Sequence, residues 1–417
     1  MVGKTTWRTS FAPLAVRNFR LFTISNVIAM SGTQMQRIAQ DWLVLTLSHS
    51  ATAVGVTVFM QFTPMLIFGL HGGLIVDRYS KRTLLMLTQG TVGVLSTLLA
   101  VLALTHTIQI WQVWTIAFLV GLVTVIDNPT RQVFVGELVG TQHLRNAVSL
   151  NASVFQLGGL IGPAVAGVLL STVGAGWAFA INAVTCVITV LTLAALGKTG
   201  LARARGGVRI KGQLRQGFAY VMAKPAIKWS LVMGAILAIF TLPTAVILTA
   251  YAHDVFMVGA SGYGLFNTLI AAGAFAGAIL STRRRRVRLR TVVIMGGVWG
   301  VLQTAAAIMP GEIGFCATLV AVGIANLLFI TAANSLVQLS SNVAIRGRVM
   351  SFYVLVLVGG QAIGGPVMGW IVSTGGPEIG LAVSGLVPAV AALLICLVLA
   401  RRHSIRFATP GIEEPNT

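Results

Sequence analysis

Long apolar runs alternate with short polar breaks along nearly the whole chain. The runs cover approximately 21–46, 54–76, 84–104, 111–132, 147–170, 178–197, 229–250, 262–281, 291–308, 314–338, 349–373 and 380–400. A membrane-spanning helix needs about 20 mostly apolar residues, and each run approaches or exceeds that length. Lipid offers no partner for backbone N–H and C=O groups, so spans of this kind are helical. The pattern predicts an all-α integral membrane protein of twelve transmembrane helices. One polar stretch, 198–228, is much longer than the others and separates six runs from six. It divides the chain into an N-terminal half (1–197), a linker (198–228), a C-terminal half (229–400) and a tail (401–417).

An internal repeat supports that division. The fifth run holds Gly162-Pro163 and Gly167, followed by Ser171-Thr172. The eleventh holds Gly365-Pro366 and Gly369, followed by Ser373-Thr374. The two sets lie 202–203 residues apart, as do Arg145 and Arg348. Gly73 and Gly277 both precede short basic loops. The second copy has Ser281 where the first has Asp77. Two pseudo-symmetric six-helix halves follow from the repeat.

Composition agrees. The 417 residues are 56% hydrophobic and 9% charged, against about 25% charged in soluble domains. The net charge of +20 does not indicate nucleic acid, because of where the cations lie. Of the 29 Lys and Arg residues, all except Arg37 fall in, or beside, segments on one side of the predicted topology. Excess Lys and Arg mark the cytoplasmic side, so both termini are expected there, and the basic linker is expected to be a solvated loop, with contact to membrane lipid headgroups as the alternative. No cleavable signal peptide is evident: the basic start (Lys4, Arg8, Arg17, Arg20) leads into a run too long and polar-studded for one. Cys186, Cys316 and Cys396 lie inside apolar runs and suggest neither disulfides nor zinc. The histidines show no metal spacing. With no nucleotide motif and no catalytic cluster, the chain reads as a non-enzyme without cofactor or metal, and as a monomer.

Several segments carry candidate chemistry. The stretch Gly73-Leu-Ile-Val-Asp-Arg-Tyr-Ser-Lys-Arg82 closes the second run and turns into the third. It resembles the loop 2–3 signature of the major facilitator superfamily, G-x-x-x-D-R-x-G-R-R, with Ser80 in place of the second glycine and Lys81 in place of an arginine. The resemblance implies a cytoplasmic gate built from Gly73, Asp77, Arg78, Lys81 and Arg82. In it Asp77 would cap the N-terminus of a helix from the other half, where a carboxylate is favoured by the helix dipole. Asp127 and Arg131, one turn apart in the fourth run, are expected to join that charge cluster, and Glu137 to be solvated. Gly158, Gly162, Pro163 and Gly167 resemble the antiporter motif g-x-x-x-G-P-x-x-G-G, with Ala166 for one glycine; within the superfamily this marks exporters. Met35–Leu47, Asp127-Asn-Pro-Thr-Arg131 and Asn146–Asn151 resemble the branch containing siderophore and macrolide exporters and multidrug pumps.

Asn26, Thr33, Gln34, Arg37 and Asp41 share one face of the first helix. An ionisable residue inside a span is costly and should face a cavity and be paired. Arg37 and Asp41, at i and i+4, are expected to pair, either as a proton-coupling site or as a structural ion pair. Asn26, Gln34, Asn151, Gln156, Asn334, Gln338 and Gln361 are candidates for a substrate cavity, or for helix-to-helix hydrogen bonds. The resulting expectation is a proton-coupled exporter of amphipathic small molecules in a bacterial inner membrane. Few intramembrane charges point to neutral or weakly cationic compounds. A specific siderophore or metabolite exporter, an importer and a membrane sensor are the alternatives. The topology is directly testable: single cysteines at 312 or 378 should label from outside the cell, and a cysteine at 284 should not.

Overall fold

The computed structural model describes residues 11–196, 219–282, 287–342 and 345–401. Most of the predicted linker, the arginine run 283–286 and nearly all of the tail lie outside these residues. A short 3-10 turn, Ala12–Ala15, leads into α1, Arg17–Ser48. There follow α2 (Ala51–Arg78), α3 (Lys81–Leu104), α4 (Ile110–Gly140), α5 (Asn146–Thr172) and α6 (Ala175–Ala195). The second set is α7 (Pro225–Val255), α8 (Gly259–Ser281), α9 (Leu289–Ala307), α10 (Glu312–Ser340), α11 (Arg346–Gly375) and α12 (Pro377–Arg401). By length and composition eleven of these can cross a membrane. The twelfth, α1, is diluted by Asn26, Gln34, Gln36, Arg37, Gln40 and Asp41.

Two helices differ from the sequence expectation. The fourth runs on past residue 132 to Gly140, where φ of +68° turns the backbone. A glycine takes that angle without the Cβ penalty of other residues. In consequence Asp127 and Arg131 lie more than two helical turns inside α4. The seventh is broken at Thr241-Leu242-Pro243 and ends in a π turn, Tyr251–Val255. Pro243 has no N–H to donate. Thr241 ends the first segment, and its hydroxyl donates to Ser384 O of α12 at 2.7 Å.

The packing repeats as the sequence does. The α3–α6 and α9–α12 pairs correspond, as do α2–α4 and α8–α10. Across the halves, α2 packs on α11 and α5 on α8. Helices in lipid gain little from apolar contact alone, so small residues that admit close approach decide where they touch. Gly162 lies against α1, where an added methyl would sit 2.6 Å from Gln34 Cβ. At the seam, Gly167 and Gly264 bring α5 and α8 into backbone contact.

Both described chain ends and the α2–α3 turn lie at one face, called here the basic face. Ser80 at that turn is the N-cap of α3, its hydroxyl accepting from Thr83 N at 3.4 Å. A glycine there would lose this cap. On the side of α1 away from the central cavity, Ser96 Oγ (α3) and Asn182 Nδ2 (α6) both donate to Gln36 Oε1 at 2.6 Å. Asn182→Ala should lower the stability of the protein in detergent by about 1 kcal/mol, read by unfolding in SDS titration. Thr192→Ala, which removes only a bond to its own helix, is the control.

Candidate functional site

Two adjoining chambers lie between the halves. The larger, about 820 Å³, reaches from Gly73 and Gly347 at the basic face to Arg37. The smaller, about 260 Å³, lies deeper, between Arg37 and the break in α7. Arg37, Gln61, Phe62 and Phe155 line both. The opposite face is shut. There α2 and α11 touch through Gly55 and Gly365, and Thr52 Oγ1 lies 2.9 Å from Ser373 Oγ. Trp42 stacks on Tyr263 at 5.9 Å, and His253 lies beside Trp42 and His49. Tyr251, Phe256, Phe266 and Phe315 form a further aromatic layer. Among the described residues, the larger chamber therefore opens toward the basic face.

All seven candidate cavity residues line one chamber or the other. Gln34, Gln156 and Gln361 belong to the smaller; Asn26, Asn151, Asn334 and Gln338 belong to the larger. They also bond to each other: Asn26 Nδ2 donates to Asn151 Oδ1 at 3.0 Å, and Gln338 Nε2 donates to Asn334 Oδ1. The larger chamber is also lined by Met30, Met65 and Met350, by other apolar and small residues, and by the amides Gln61, Asn128 and Gln132. Its charged lining consists of Arg37 and Arg131, and no carboxylate among the described residues lines it. The expectation of neutral or weakly cationic compounds thus meets a larger chamber whose lining charges are guanidinium groups.

Arg37 and Asp41 do not form the expected ion pair. No contact under 4.0 Å joins them. The Arg37 guanidinium lies 5.3 Å from the centre of the Phe62 ring, a cation–π contact that draws it toward α2. Asp41 is buried and lines the smaller chamber. Its Oδ2 accepts from the Tyr263 hydroxyl at 3.4 Å, and its Oδ1 has no partner among the described residues.

The loop 2–3 residues divide. Gly73, Asp77 and Arg78 are exposed, and nothing lies within 4 Å of where a Gly73 Cβ would stand. The close approach expected at Gly73 is made by Gly72, against Val125 of α4. Lys81 is buried and lies 4.0 Å from Glu137, which is paired there and not solvated as expected. Arg82 donates to Ala194 O at the end of α6, 2.6 Å away, a favourable place for a cation. Asp127 and Arg131 do not join Asp77 and Arg78. Both are buried deep in the first half. Asp127 Oδ1 accepts from Thr88 Oγ1 at 2.7 Å and from Gln89 Nε2 at 3.0 Å. Arg131 Nε donates to Asp127 Oδ2, and its Nη1 donates to Asn26 Oδ1. Of the helix 5 motif, Gly158 and Gly162 contact α1, Gly167 contacts α8, and Pro163 lines the smaller chamber.

Sequence reasoning missed Tyr263, Gln61 and Phe62. Tyr263 stands in an apolar run with no charged neighbour, and only the folded seam brings it to Asp41. Gln61, three residues before Pro64 in α2, was visible as a polar residue in a span.

Comparison with known proteins follows the same lines. The family described as transmembrane secretion effector matches residues 8–412. The enterobactin exporter EntS of Escherichia coli O1:K1 / APEC is 23% identical over 415 residues, covering 99% of each chain. That of Salmonella typhimurium strain LT2 is 25% identical over 399 residues, covering 95% of each. Among solved structures, a bacterial homolog of the human lysosomal transporter Spinster, in an inward-facing and occupied conformation, superimposes with a TM-score of 0.73. It is 14% identical, over 93% of this chain and 97% of that one. A D-xylose–proton symporter gives 0.68 at 15% identity, over 91% of this chain and 97% of that one. The likeness to the solved structures concerns the fold. Matched from residue 8 to residue 412, this chain belongs to the transmembrane secretion effectors, exporters of the major facilitator superfamily.

Proposed function

We propose that this exporter is a proton-coupled pump for uncharged amphipathic small molecules of more than one kind, working by alternating access. The observation that carries the reading is the position of Asp41. It is a buried carboxylate at the seam of the halves, in a small chamber that adjoins a larger, mostly apolar one and shares Arg37, Gln61, Phe62 and Phe155 with it. A proton carrier must change its charge during the cycle, and a carboxylate poised between desolvation and hydrogen-bond donors can do so. Methionine and phenylalanine side chains adapt to substrates of different shape, and amides from both halves supply polar contacts. In the larger chamber, two guanidinium groups with no lining carboxylate among the described residues disfavour cations.

In this reading the basic face is cytoplasmic, and the conformation described is the one that loads substrate from inside. Closing that face brings Asp77 to the start of α11, around Arg348 to Tyr353, where the positive end of the helix dipole favours a carboxylate. The similarity to enterobactin exporters favours a second reading, a pump dedicated to one siderophore-like product. Transport of a panel of unrelated uncharged amphipaths separates the two: a dedicated pump moves one member at most.

Two outcomes test the mechanism. In proteoliposomes with an imposed pH gradient, Asp41→Asn should cut uphill export at least about tenfold, the equivalent of ~1.4 kcal/mol, while substrate binding stays measurable. Uphill export at the wild-type rate by that variant would remove Asp41 from coupling. Asp77→Asn should reach the membrane normally yet shift the balance of the two conformations by roughly fivefold, for the loss of about 1 kcal/mol at a helix N-terminus. Accessibility of single cysteines in the larger chamber measures that shift, and an unchanged balance would leave Asp77 without a gating role.

A further inference from the structure

Coupled exchange imposes a condition that a proton-binding carboxylate does not meet by itself. A transporter carrying substrate, or carrying a proton, must be free to change conformation. One carrying neither must be held, or the gradient drains without work. Some contact must therefore lock the empty, deprotonated protein, and either ligand must be able to break it.

The seam at the closed face contains a contact of this kind. Asp41 belongs to the first half and Tyr263 to the second, and the phenol hydroxyl donates to the carboxylate across the boundary. Tyr263 is fully buried, and Trp42, the residue after Asp41, stacks on its ring with planes 23° apart. Thus α1 grips α8 at two successive positions. The next residue of α8, Gly264, meets Gly167 of α5 backbone to backbone. At that point neither helix carries a side chain to resist sliding. The neutral hydroxyl pair Thr52–Ser373 bridges the halves at the α2–α11 seam and is exposed. The Asp41 bond differs from it in being buried and in depending on charge. Hydrogen bonds to an ionised acceptor are roughly twice as strong as neutral ones.

We infer that the Tyr263–Asp41 bond is the latch that holds the empty transporter shut at the closed face, and that Tyr263 is a positioning residue for coupling. The inference rests on the assignment of Asp41 as the proton carrier. When Asp41 takes up a proton, the bond falls to its neutral strength and the halves are released. Tyr263 and Asp41 both line the smaller chamber, so an acceptor oxygen on a substrate reaching it competes for the phenol hydroxyl and releases the latch as well. The groups around Asp41 are few. Arg37 of α1 is drawn toward Phe62, and the other polar lining near it consists of neutral amides and Thr244. His253 stands behind Trp42 and is bonded to Asp254.

The test is Tyr263→Phe, which keeps the ring and its stack and removes the hydroxyl. In proteoliposomes with a pH gradient and no substrate, this variant should leak protons about tenfold faster than wild type, as loss of one charge-assisted bond requires. Its uphill export should fall. A Thr52→Ala, Ser373→Ala pair loosens the other seam without touching Asp41 and should leave the proton leak unchanged; an equal leak from that pair would make the effect one of general loosening and overturn the latch. Trp42→Leu, which unseats the ring and keeps the hydroxyl, should leak in smaller measure, and serves if Tyr263→Phe folds poorly. Wild-type tightness in whichever of the two variants folds would also overturn the latch. Asp41→Asn tells the two levels apart. Proton flux through Asp41→Asn would refute the coupling assignment itself. A proton-silent Asp41→Asn beside a tight Tyr263→Phe would refute the latch alone.

Discussion

Two buried charges, Asp127 and Arg131, tie the first half together. A carboxylate and a guanidinium taken out of water persist only when their hydrogen-bonding capacity is largely met, because an unpaired charge in a low-dielectric interior costs several kcal/mol. Here α3 supplies Thr88 and Gln89, α1 supplies Asn26, and Asn26 in turn binds Asn151 of α5. Four helices therefore meet at one ion pair on α4. Moving α1, α3 or α4 alone would strip a partner from a buried charge, and moving α5 would strip one from Asn26. Motion is thereby directed to the seam between the halves, where the contacts are glycine against glycine, aromatic stacks and a few hydrogen bonds.

The two halves share their packing and differ in their chemistry. The repeat preserves small residues where helices touch, since backbone approach is a geometric requirement that both halves face alike. It does not preserve charge. Ser281 stands where the first half has Asp77, and the buried ion pair and Asp41 all belong to the first half. The second half contributes the broken α7 and Tyr263. Freed backbone beside a proline at membrane depth is tolerated where it lines a cavity, and Leu242, Pro243 and Thr244 line the smaller chamber.

The helix count, the repeat and the polar face of α1 were legible in the sequence, because length, apolarity and i, i+4 spacing are local properties. Partner choice was not. Arg37 stands one turn from Asp41, yet it goes to Phe62, since side chains on α2 compete for it in three dimensions. Asp127 and Arg131 read as cytoplasmic because α4 was taken to end at residue 132; only the angle at Gly140 puts them inside. Lys81 and Glu137 lie 56 positions apart, near the ends of two helices whose packing no periodicity reports. Gln36, Ser96 and Asn182 were indistinguishable by type from the amides of the cavity, and helical rotation alone sends them to the other side of α1.

The polarity of α1 also bears on how the protein is made. A segment carrying both Arg37 and Asp41 among several amides is a poor substrate for insertion, as each charge at mid-membrane adds about 2.5–3.5 kcal/mol on the translocon scale. The helices that receive its polar groups are all synthesised after it: α3, α4, α5 and α6 for the amides, α2 for Arg37 and α8 for Asp41. Stable entry of α1 into the bilayer must therefore be cooperative, completed when those later segments arrive to receive Asn26 and Gln36. Biogenesis of the first half is in this respect assembly of a bundle, and the last helices to be translated decide the fate of the first.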